Sequence, residues 1–241
     1  MRDCEVAWTG IEAIVLDAVG TLIEPWPAVA DVYTQAALRQ GIALDRETVR
    51  ARFGRAFRED ETGEALAALA TDEPTEVRRW RRIVTSVLPE VPVPDRAFDE
   101  LWDHFERPDS WRLFPDAEPM LARLTARGLS IAIASNFDRR LRTVVAGLPA
   151  LAGVRPALLI SSEVGYRKPH PEFYQAVGRA LGQRPERLLM VGDDLENDVR
   201  GAQRAGFRGV WLDRRARAGG EGEARVDRVS ALTELLALFG G

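Results

Sequence analysis

The chain has 241 residues, 46% of them apolar and 29% charged, which is enough to bury one large core or a core with an insertion. Its net charge is -4 at pH 7 and acidic and basic residues are mixed along the chain, so we expect no nucleic-acid partner. One cysteine, Cys4, and two widely spaced histidines, His104 and His170, exclude an internal disulfide bond and a zinc site built from such ligands.

The sequence also bears on membrane association. No apolar run is long enough to cross a bilayer, and the N-terminal segment MRDCEVAWTG lacks the apolar core of a signal peptide. We therefore expect a cytoplasmic protein without a membrane partner. Its oligomeric state is left open between a monomer and a homodimer.

Short aliphatic runs alternate with amphipathic stretches of helical length in the second half of the chain, which is typical of βα units around a parallel sheet. One further aliphatic run stands near the N-terminus. Strands are predicted at 11–17, 129–135, 157–161, 187–191 and 208–212, and helices at 116–127, 138–147, 171–182, 196–205 and 229–239. The sequence therefore predicts an α/β fold with a Rossmann-like parallel sheet.

The segment 24–110 differs, because it has helical periodicity and no convincing strand. Helices are predicted there at 27–41, 45–60, 62–71, 74–88 and 95–106. Since the segment falls between the first and second strands, we expect an inserted α-helical cap domain over the carboxyl end of the sheet, where open α/β sheets bind ligands. Trp80 and Trp102 are candidates for lining a pocket there, and Trp26, just beyond the first motif, is the better candidate for touching substrate, although packing is the favoured role of all three.

Four polar clusters follow successive predicted strands. They are DAVGT at 17–21, SN at 135–136, GYRKPHPEFY at 165–174 and GDDLENDVRGA at 192–202. Each alone is explained by a turn, a cap or a solvated helix entry. Because the carboxyl ends of parallel strands meet at one edge of the sheet, four such clusters in succession indicate a shared site.

One residue in these clusters is compositionally unusual. Lys168 is the only lysine among the 33 basic residues, and the others are arginines. A codon bias toward arginine accounts for the general pattern. A lysine that persists under such a bias indicates a position that needs a compact ammonium group.

Together these motifs resemble the haloacid dehalogenase superfamily of hydrolases, in the subgroup with a helical cap inserted after the first motif. The most specific segments are LDAVGTL and VGDDLENDVRGAQRAG. The resemblance implies a core domain of residues 1–23 and 111–241 and a cap domain of residues 24–110. It also implies a Mg²⁺-dependent phosphatase that acts on a small phosphorylated molecule through an aspartyl-phosphate.

The resemblance further implies a metal site and a nucleophile. By this resemblance Asp17 would be the nucleophile, and a carboxylate suits that role because it can attack phosphorus and split hydrolysis into two easier displacements. Asp17 and Asp193 would hold Mg²⁺ together with the backbone carbonyl of Val19. Asp198 would orient the outer shell of the metal, as carboxylates there commonly do.

A second set of residues would bind the phosphoryl group. Lys168 would neutralise its oxygens, because a fixed positive charge offsets the repulsion between phosphate and carboxylate. Ser135, Asn136 and Thr21 are the other predicted substrate-binding residues.

Val19 departs from the family pattern. Phosphatases of this family have a second aspartate two residues after the nucleophile, which protonates the leaving oxygen and later activates water. A positioned acid or base of this kind is typically worth about 10²–10⁴ in rate. The implied enzyme is then a phosphohydrolase with an atypical or missing general acid.

Three other interpretations stay open. A 2-haloacid dehalogenase needs no leaving-group proton, but its fourth motif would not be expected to carry metal-binding acids. A phosphonate-cleaving enzyme would use a lysine in the cap, and segment 24–110 contains none. A catalytically weak protein that binds metal and phosphate for regulation is the strongest alternative.

Overall fold

The protein is described by a computed structural model covering residues 10–62, 69–215 and 226–239. Its strands, numbered along the chain, are β1 (Ala13–Leu16), β2 (Ile23–Pro25), β3 (Trp111–Leu113), β4 (Ser130–Ser135), β5 (Ala157–Ile160), β6 (Leu188–Gly192), β7 (Arg208–Leu212) and β8 (Asp227–Val229). Within these described residues, six strands form a parallel sheet in the order β5-β4-β1-β6-β7-β8, and β2 pairs antiparallel with β3. The predicted α/β fold with a Rossmann-like parallel sheet is confirmed.

Helices cover both faces of this sheet. In chain order, the helices of the described residues, including those that lie away from the sheet, are α1 (Val29–Leu38), α2 (Arg46–Thr62), α3 (Glu73–Val87), α4 (Pro94–Glu106), α5 (Ala117–Ala126), α6 (Arg140–Gly147), α7 (Pro149–Val154), α8 (Ser161–Val164), α9 (Pro171–Leu181) and α10 (Gly201–Arg204). Along β1, Ile14 and Leu16 pack in an apolar cluster with α5 and α6, while Ala13 and Val15 pack in another with α9. Burial on both faces explains why β1 is an uninterrupted apolar run.

The helices α1 to α4 surround an apolar cluster of their own. In α3, the buried residues Ile83, Val84 and Val87 recur at helical spacing and face this cluster. The helix begins after Asp72, whose carboxylate accepts a hydrogen bond from the backbone N–H of Thr75 at 2.8 Å. In the described ranges, no helix is both long and apolar enough to cross a membrane.

The chain enters and leaves this helical segment through the β2–β3 ribbon. Ile23 pairs with Leu113, and Pro25 pairs with Trp111. The expectation of no strand in 24–110 is therefore wrong at its first residues, because β2 continues to Pro25. A three-residue strand is too short to show a two-residue period, so its pairing partner decides its conformation.

The helix predicted over 62–71 falls mainly on residues 63–68, which lie outside the described residues. The last two residues of this predicted helix are described and are not helical. Ala70 forms an antiparallel bridge with Tyr166, and the backbone N–H of Thr71 donates to the carbonyl of Gly165 at 3.0 Å. The helical segment is thus tied by backbone pairing to the loop that carries Lys168.

Two predicted helices differ in detail near the C-terminal end of the sheet. The helix predicted over 229–239 starts inside β8, and a 3₁₀ helix then covers Leu232–Phe239. The helix predicted over 196–205 is a π-helical turn, Leu195–Arg200, followed by α10. Pairing with β7 decides the first case, and side-chain capping within the fourth motif decides the second.

Candidate active site

The carboxyl ends of three adjacent strands bring predicted site residues to one edge of the sheet. β1 pairs with β4 on one side and with β6 on the other. Asp17 directly follows β1, between Ser135 at the end of β4 and Asp193 after β6. The backbone N–H of Asp17 donates to the carbonyl of Val191 at 2.9 Å, so the ladder fixes the position from which the Asp17 side chain projects.

Lys168 lies at the centre of this edge and is almost fully buried. Its Nζ donates to Asp17 Oδ1 at 2.7 Å, to Asp198 Oδ1 at 2.6 Å and to the carbonyl of Ala134 at 2.8 Å. A primary ammonium has three N–H donors, so these three acceptors satisfy it. The longer and planar guanidinium of arginine does not match this arrangement, which gives a physical reason for the single lysine.

Asn136 holds the backbone of Lys168. Its Oδ1 accepts from the Lys168 backbone N–H at 2.7 Å, and its Nδ2 donates to the Lys168 carbonyl at 3.0 Å. Both ends of the amide are therefore used within the protein. The structure gives Asn136, which we predicted to bind substrate, the geometry of a residue that positions Lys168.

Three carboxylates form an acidic cluster around Lys168: Asp17, Asp193 and Asp198 each offer an oxygen within 4.8 Å of the others. Gly20 leaves room for it, since it has a φ of +93° and a Cβ there would lie 2.6 Å from the carboxylate of Asp193. Asp198 Oδ2 accepts from the backbone N–H of Asp194 at 3.0 Å. Hard oxygen donors at this spacing suit Mg²⁺.

Burial makes it costly for all three carboxylates to be charged. It raises the pKa of Asp193 to about 6 and that of Asp198 to about 7, with neighbouring carboxylates adding to the shift and Lys168 opposing it. Burial also raises the pKa of Asp17. Burial alone lowers the pKa of Lys168, but the charges of Asp17 and Asp198 outweigh it and raise that pKa. One ammonium thus faces three carboxylates, and a further positive charge would stabilise their ionised forms.

These pKa shifts predict how Asp198 affects stability in the metal-free protein. Because the pKa of Asp198 is about 7 in the fold, against 3.8 ordinarily, the folded state keeps a proton that the unfolded chain releases. The stabilising contribution is complete below about pH 4 and is lost as the pH rises to about 7. In the presence of chelator, the free energy of unfolding of the wild type minus that of Asp198→Asn should therefore decrease from pH 4 to pH 8. Urea unfolding at several pH values measures this, and a constant difference would contradict it.

The site residues line a cavity of about 410 Å³ that is also bordered by the helical segment. From the sheet edge it is lined by Asp17, Val19, Gly20, Ser135, Asn136, Lys168, Asp193, Asp194 and Asp198. From the helices come Tyr33, Phe53, Phe57, Arg79 and Trp80. A partly enclosed cavity of this size with convergent polar groups is typical of a small-molecule site.

Comparison with known proteins identifies the family. The model of the haloacid dehalogenase-like hydrolases matches residues 11–206, a range that contains the acidic cluster and Lys168. The chain is a haloacid dehalogenase-like hydrolase. A phosphoserine phosphatase of Thermus thermophilus is 33% identical over 225 residues, which cover 85% of this hydrolase and 89% of the relative.

Solved structures show that the fold of this hydrolase is shared by enzymes of two activities. A dehalogenase with an intermediate complex has a TM-score of 0.73 and 23% identity, covering 95% of this chain and 97% of that one. A haloacid dehalogenase-type phosphatase from Thermococcus onnurineus has a TM-score of 0.69 and 22% identity, covering 96% and 99%. The fold by itself therefore does not select between the two reactions.

One predicted substrate-binding residue does not reach the cavity. Thr21 is fully buried, and the cavity wall includes its neighbour Gly20 but not Thr21 itself. The turn explains this, since the backbone N–H of Gly20 donates to the carbonyl of Ile23 at 2.9 Å and closes the chain over Thr21. Thr21 is thus a buried residue of the turn in this structure, and its role in substrate binding stays a prediction.

Sequence reasoning missed three buried arginines that line the cavity: Arg79, Arg140 and Arg167. Arg167 adjoins Lys168 in the third motif, which was the one available signal for it. Arg79 was hidden in an arginine-rich helix, where a solvated face is the ordinary expectation. Trp80, whose favoured role was packing, lines the cavity and also packs within the helical cluster.

Proposed function

We propose that this hydrolase is a Mg²⁺-dependent phosphohydrolase acting on a small phosphorylated metabolite through an aspartyl-phosphate on Asp17. The observation that carries the proposal is the buried Asp17 carboxylate, hydrogen-bonded to Lys168 and grouped with Asp193 and Asp198 in the wall of a cavity. The 33% identical phosphoserine phosphatase supports phosphate-ester chemistry.

The proposed reaction has two displacements. Asp17 attacks phosphorus, the bond from phosphorus to the leaving oxygen breaks, and the phosphoryl group is carried by the Asp17 carboxylate. Water then attacks phosphorus, the bond from phosphorus to the Asp17 oxygen breaks, and the Asp17 carboxylate is restored as phosphate leaves with the oxygen of that water and its proton passes to the phosphate or to solvent. Lys168 holds the Asp17 carboxylate in one orientation through Oδ1 and supplies positive charge beside the phosphoryl oxygens. Ser135, buried at the end of β4, lines the cavity as a further hydrogen-bond donor.

The donor set fits Mg²⁺, because three carboxylates share a single ammonium within one small cluster. Asp17, Asp193 and the carbonyl of Val19 would hold the ion, and Asp198 would orient its outer shell. When bound, the ion would offset the charge of the phosphoryl oxygens during transfer. The same cluster favours a phosphohydrolase over a 2-haloacid dehalogenase.

The helical segment would act as the cap. We propose residues 1–23 and 111–241 as the core domain and residues 24–110 as the cap domain. The separate apolar cluster of α1 to α4 supports this division, as does the β2–β3 ribbon at its boundary. A cavity lined from both sides would let the cap exclude water during the reaction.

Val19 leaves the leaving group without a dedicated proton donor. Every acidic residue among the described cavity-lining residues follows β1 or β6, and none comes from α1 to α4. These acids are Asp17, Asp193, Asp194 and Asp198. We therefore expect the enzyme to favour leaving groups that depart without a proton.

The test compares an aryl phosphate, 4-nitrophenyl phosphate, with an alkyl phosphate, glycerol 2-phosphate. Each is assayed with Mg²⁺ and with chelator. We expect Mg²⁺-dependent turnover of the aryl ester and turnover of the alkyl ester at least about 10²-fold slower. No turnover of either ester, with Mg²⁺ still bound, would refute the phosphohydrolase and favour the regulatory alternative.

Val19→Asp is the second arm of this test. A carboxyl group at this position should protonate the leaving oxygen and raise turnover of glycerol 2-phosphate by about 10²-fold or more. Val19→Asn is the matched control, since it has the same shape without a transferable proton. Equal rates in the two variants would show that the site does not lack a general acid.

A further inference from the structure

The helical side of the cavity carries an aromatic wall, defined here as Phe53, Phe57 and Trp80. The ring centroids of Phe53 and Phe57 are 5.9 Å apart, and those of Phe57 and Trp80 are 6.3 Å apart. All three side chains line the cavity and are only partly buried by the protein, so their rings are open to a ligand there. Aromatic rings favour flat apolar partners. The aromatic wall therefore suits a ring on the ligand.

Apolar residues also line the cavity close to the nucleophile. Val19 lies two residues after Asp17, is partly buried, and shares the cavity wall with Pro25 and Val29. A phosphoryl group at Asp17 would fill only a small part of a cavity of about 410 Å³. The leaving group must therefore occupy the remainder, where burial of its apolar surface favours binding.

The buried arginines of the cavity wall already pair with acids of the protein. These pairs join Arg79 to Asp60 and Glu76, Arg140 to Asp138, and Arg167 to Glu76. None of the three guanidinium groups therefore requires a charge on the leaving group. A charged leaving group would lose its hydration beside the aromatic wall, which is costly without a new partner.

A cationic leaving group is further disfavoured by cations that already lie at the aromatic wall. The guanidinium carbon of Arg79 is 5.3 Å from the ring centroid of Phe57 and 5.5 Å from that of Trp80. The guanidinium carbon of Arg140 is 5.8 Å from the centroid of Trp80. A further cation at these rings would be repelled by like charge. The ammonium of a serine leaving group therefore fits this wall poorly.

We propose that the substrates of this hydrolase are phosphate monoesters with an uncharged, apolar aryl leaving group, which Phe57 and Trp80 select by contact. The proposal rests on the phosphohydrolase function proposed above. With the phosphoryl group at Asp17, the aryl group would lie between Val19 and the aromatic wall. Val19 favours the same class of substrate, because a phenolate leaves without a proton more readily than an alkoxide.

The test uses phenyl phosphates that differ only in the para substituent: propyl, 2-hydroxyethyl, 2-aminoethyl or carboxymethyl. These groups are similar in size, and each is joined to the ring through a methylene, so they change the departure of the phenolate little. We expect kcat/KM for the propyl ester to exceed that for the hydroxyethyl ester by about tenfold or more, since burying a hydroxyl without a partner is costly. Equal values for these two esters, or a higher value for either charged ester, would overturn the proposal.

Phe57→Ala and its matched control Phe98→Ala test the role of the aromatic wall. Both residues pack in the apolar cluster of α1 to α4, but Phe98 is not among the described residues that line the cavity. The ratio of kcat/KM for the propyl and hydroxyethyl esters should fall at least about threefold in Phe57→Ala and stay at the wild-type value in Phe98→Ala. Because both esters are assayed on one preparation, a smaller folded fraction cancels from the ratio. An unchanged ratio in Phe57→Ala, or an equal fall in both variants, would overturn selection by the aromatic wall.

A binding measurement separates this proposal from the phosphohydrolase function. Calorimetry of the wild type with Mg²⁺ compares 4-propylbenzylphosphonate with 4-(2-hydroxyethyl)benzylphosphonate and needs no turnover. Tighter binding of the propyl compound by about tenfold supports apolar selection even if no ester is hydrolysed. Turnover of the aryl esters without discrimination among them would overturn the proposal and leave the phosphohydrolase standing. Absence of both turnover and binding would overturn both.

Discussion

Asp17→Asn should abolish turnover of every phosphate ester while the protein stays folded. Asparagine retains the shape and one acceptor oxygen of the side chain but is a poor nucleophile, so we expect a loss of at least about 10³-fold in kcat. The fold should persist because Lys168 keeps Asp198 and the carbonyl of Ala134 as acceptors. Hydrolysis of 4-nitrophenyl phosphate and thermal unfolding measure the two effects.

The control for Asp17→Asn is Asp99→Asn, which makes the same chemical change at an exposed position of α4. This variant should hydrolyse the ester at the wild-type rate. Mass spectrometry of the wild type quenched during turnover adds a direct observation, since a phosphoryl group should be found on the peptide that contains Asp17. Wild-type rates in Asp17→Asn would refute Asp17 as the nucleophile.

Lys168→Met should destabilise the metal-free protein by about 3–5 kcal/mol at pH 8, because it leaves buried carboxylates without their counter-ion. Asp17 and Asp198 both contact Lys168 Nζ in the wild type. Without the ammonium, their pKa values should rise further, so the folded state binds protons more tightly than the unfolded chain. The free energy of unfolding should therefore recover as the pH falls from 8 to 5. Urea unfolding in chelator measures this.

Arg204→Met is the matched control for Lys168→Met. Arg204 pairs with Glu196 at 2.8 Å, but both side chains are more than half exposed. Removing such an exposed partner should cost less than about 1 kcal/mol. A similarly small cost for Lys168→Met, or a cost that does not change with pH, would contradict the prediction. It would show that Asp17 and Asp198 do not depend on the Lys168 ammonium as their counter-ion.

Position 19 illustrates the difference between the groups that the fold brings together at the sheet edge and the additional general acid that a particular reaction requires. The sheet edge supplies a carboxylate, an ammonium and an acidic cluster, and the fold that serves as their scaffold is shared with a dehalogenase and a phosphatase. A general acid is a single side chain added to that scaffold. An apolar residue at position 19 fits the core packing, since Val19 packs against the same apolar cluster as β1.

Local sequence determined the sheet. Each long strand, such as β1 or β6, is a continuous apolar run because it is buried on both faces, and such a run is visible without any tertiary information. The short strands β2, β3 and β8 were missed because three residues carry no period. Their backbone conformation depends on pairing with a strand that is remote in the sequence, and a local pattern does not reveal that pairing.

The sequence by itself also placed Asp17, Lys168, Asp193 and Asp198 near one another, because residues that follow parallel strands share one edge of the sheet. The resemblance to the family then singled them out and supplied their roles. Only the tertiary structure decided the use of the remaining side chains. It assigned both ends of Asn136 to the Lys168 backbone, buried Thr21 and brought Arg79, Arg140 and Arg167 into the cavity wall. Periodicity shows which face of a helix is apolar, but the partner of a buried charge depends on how separate elements pack, and that arrangement has no local signature.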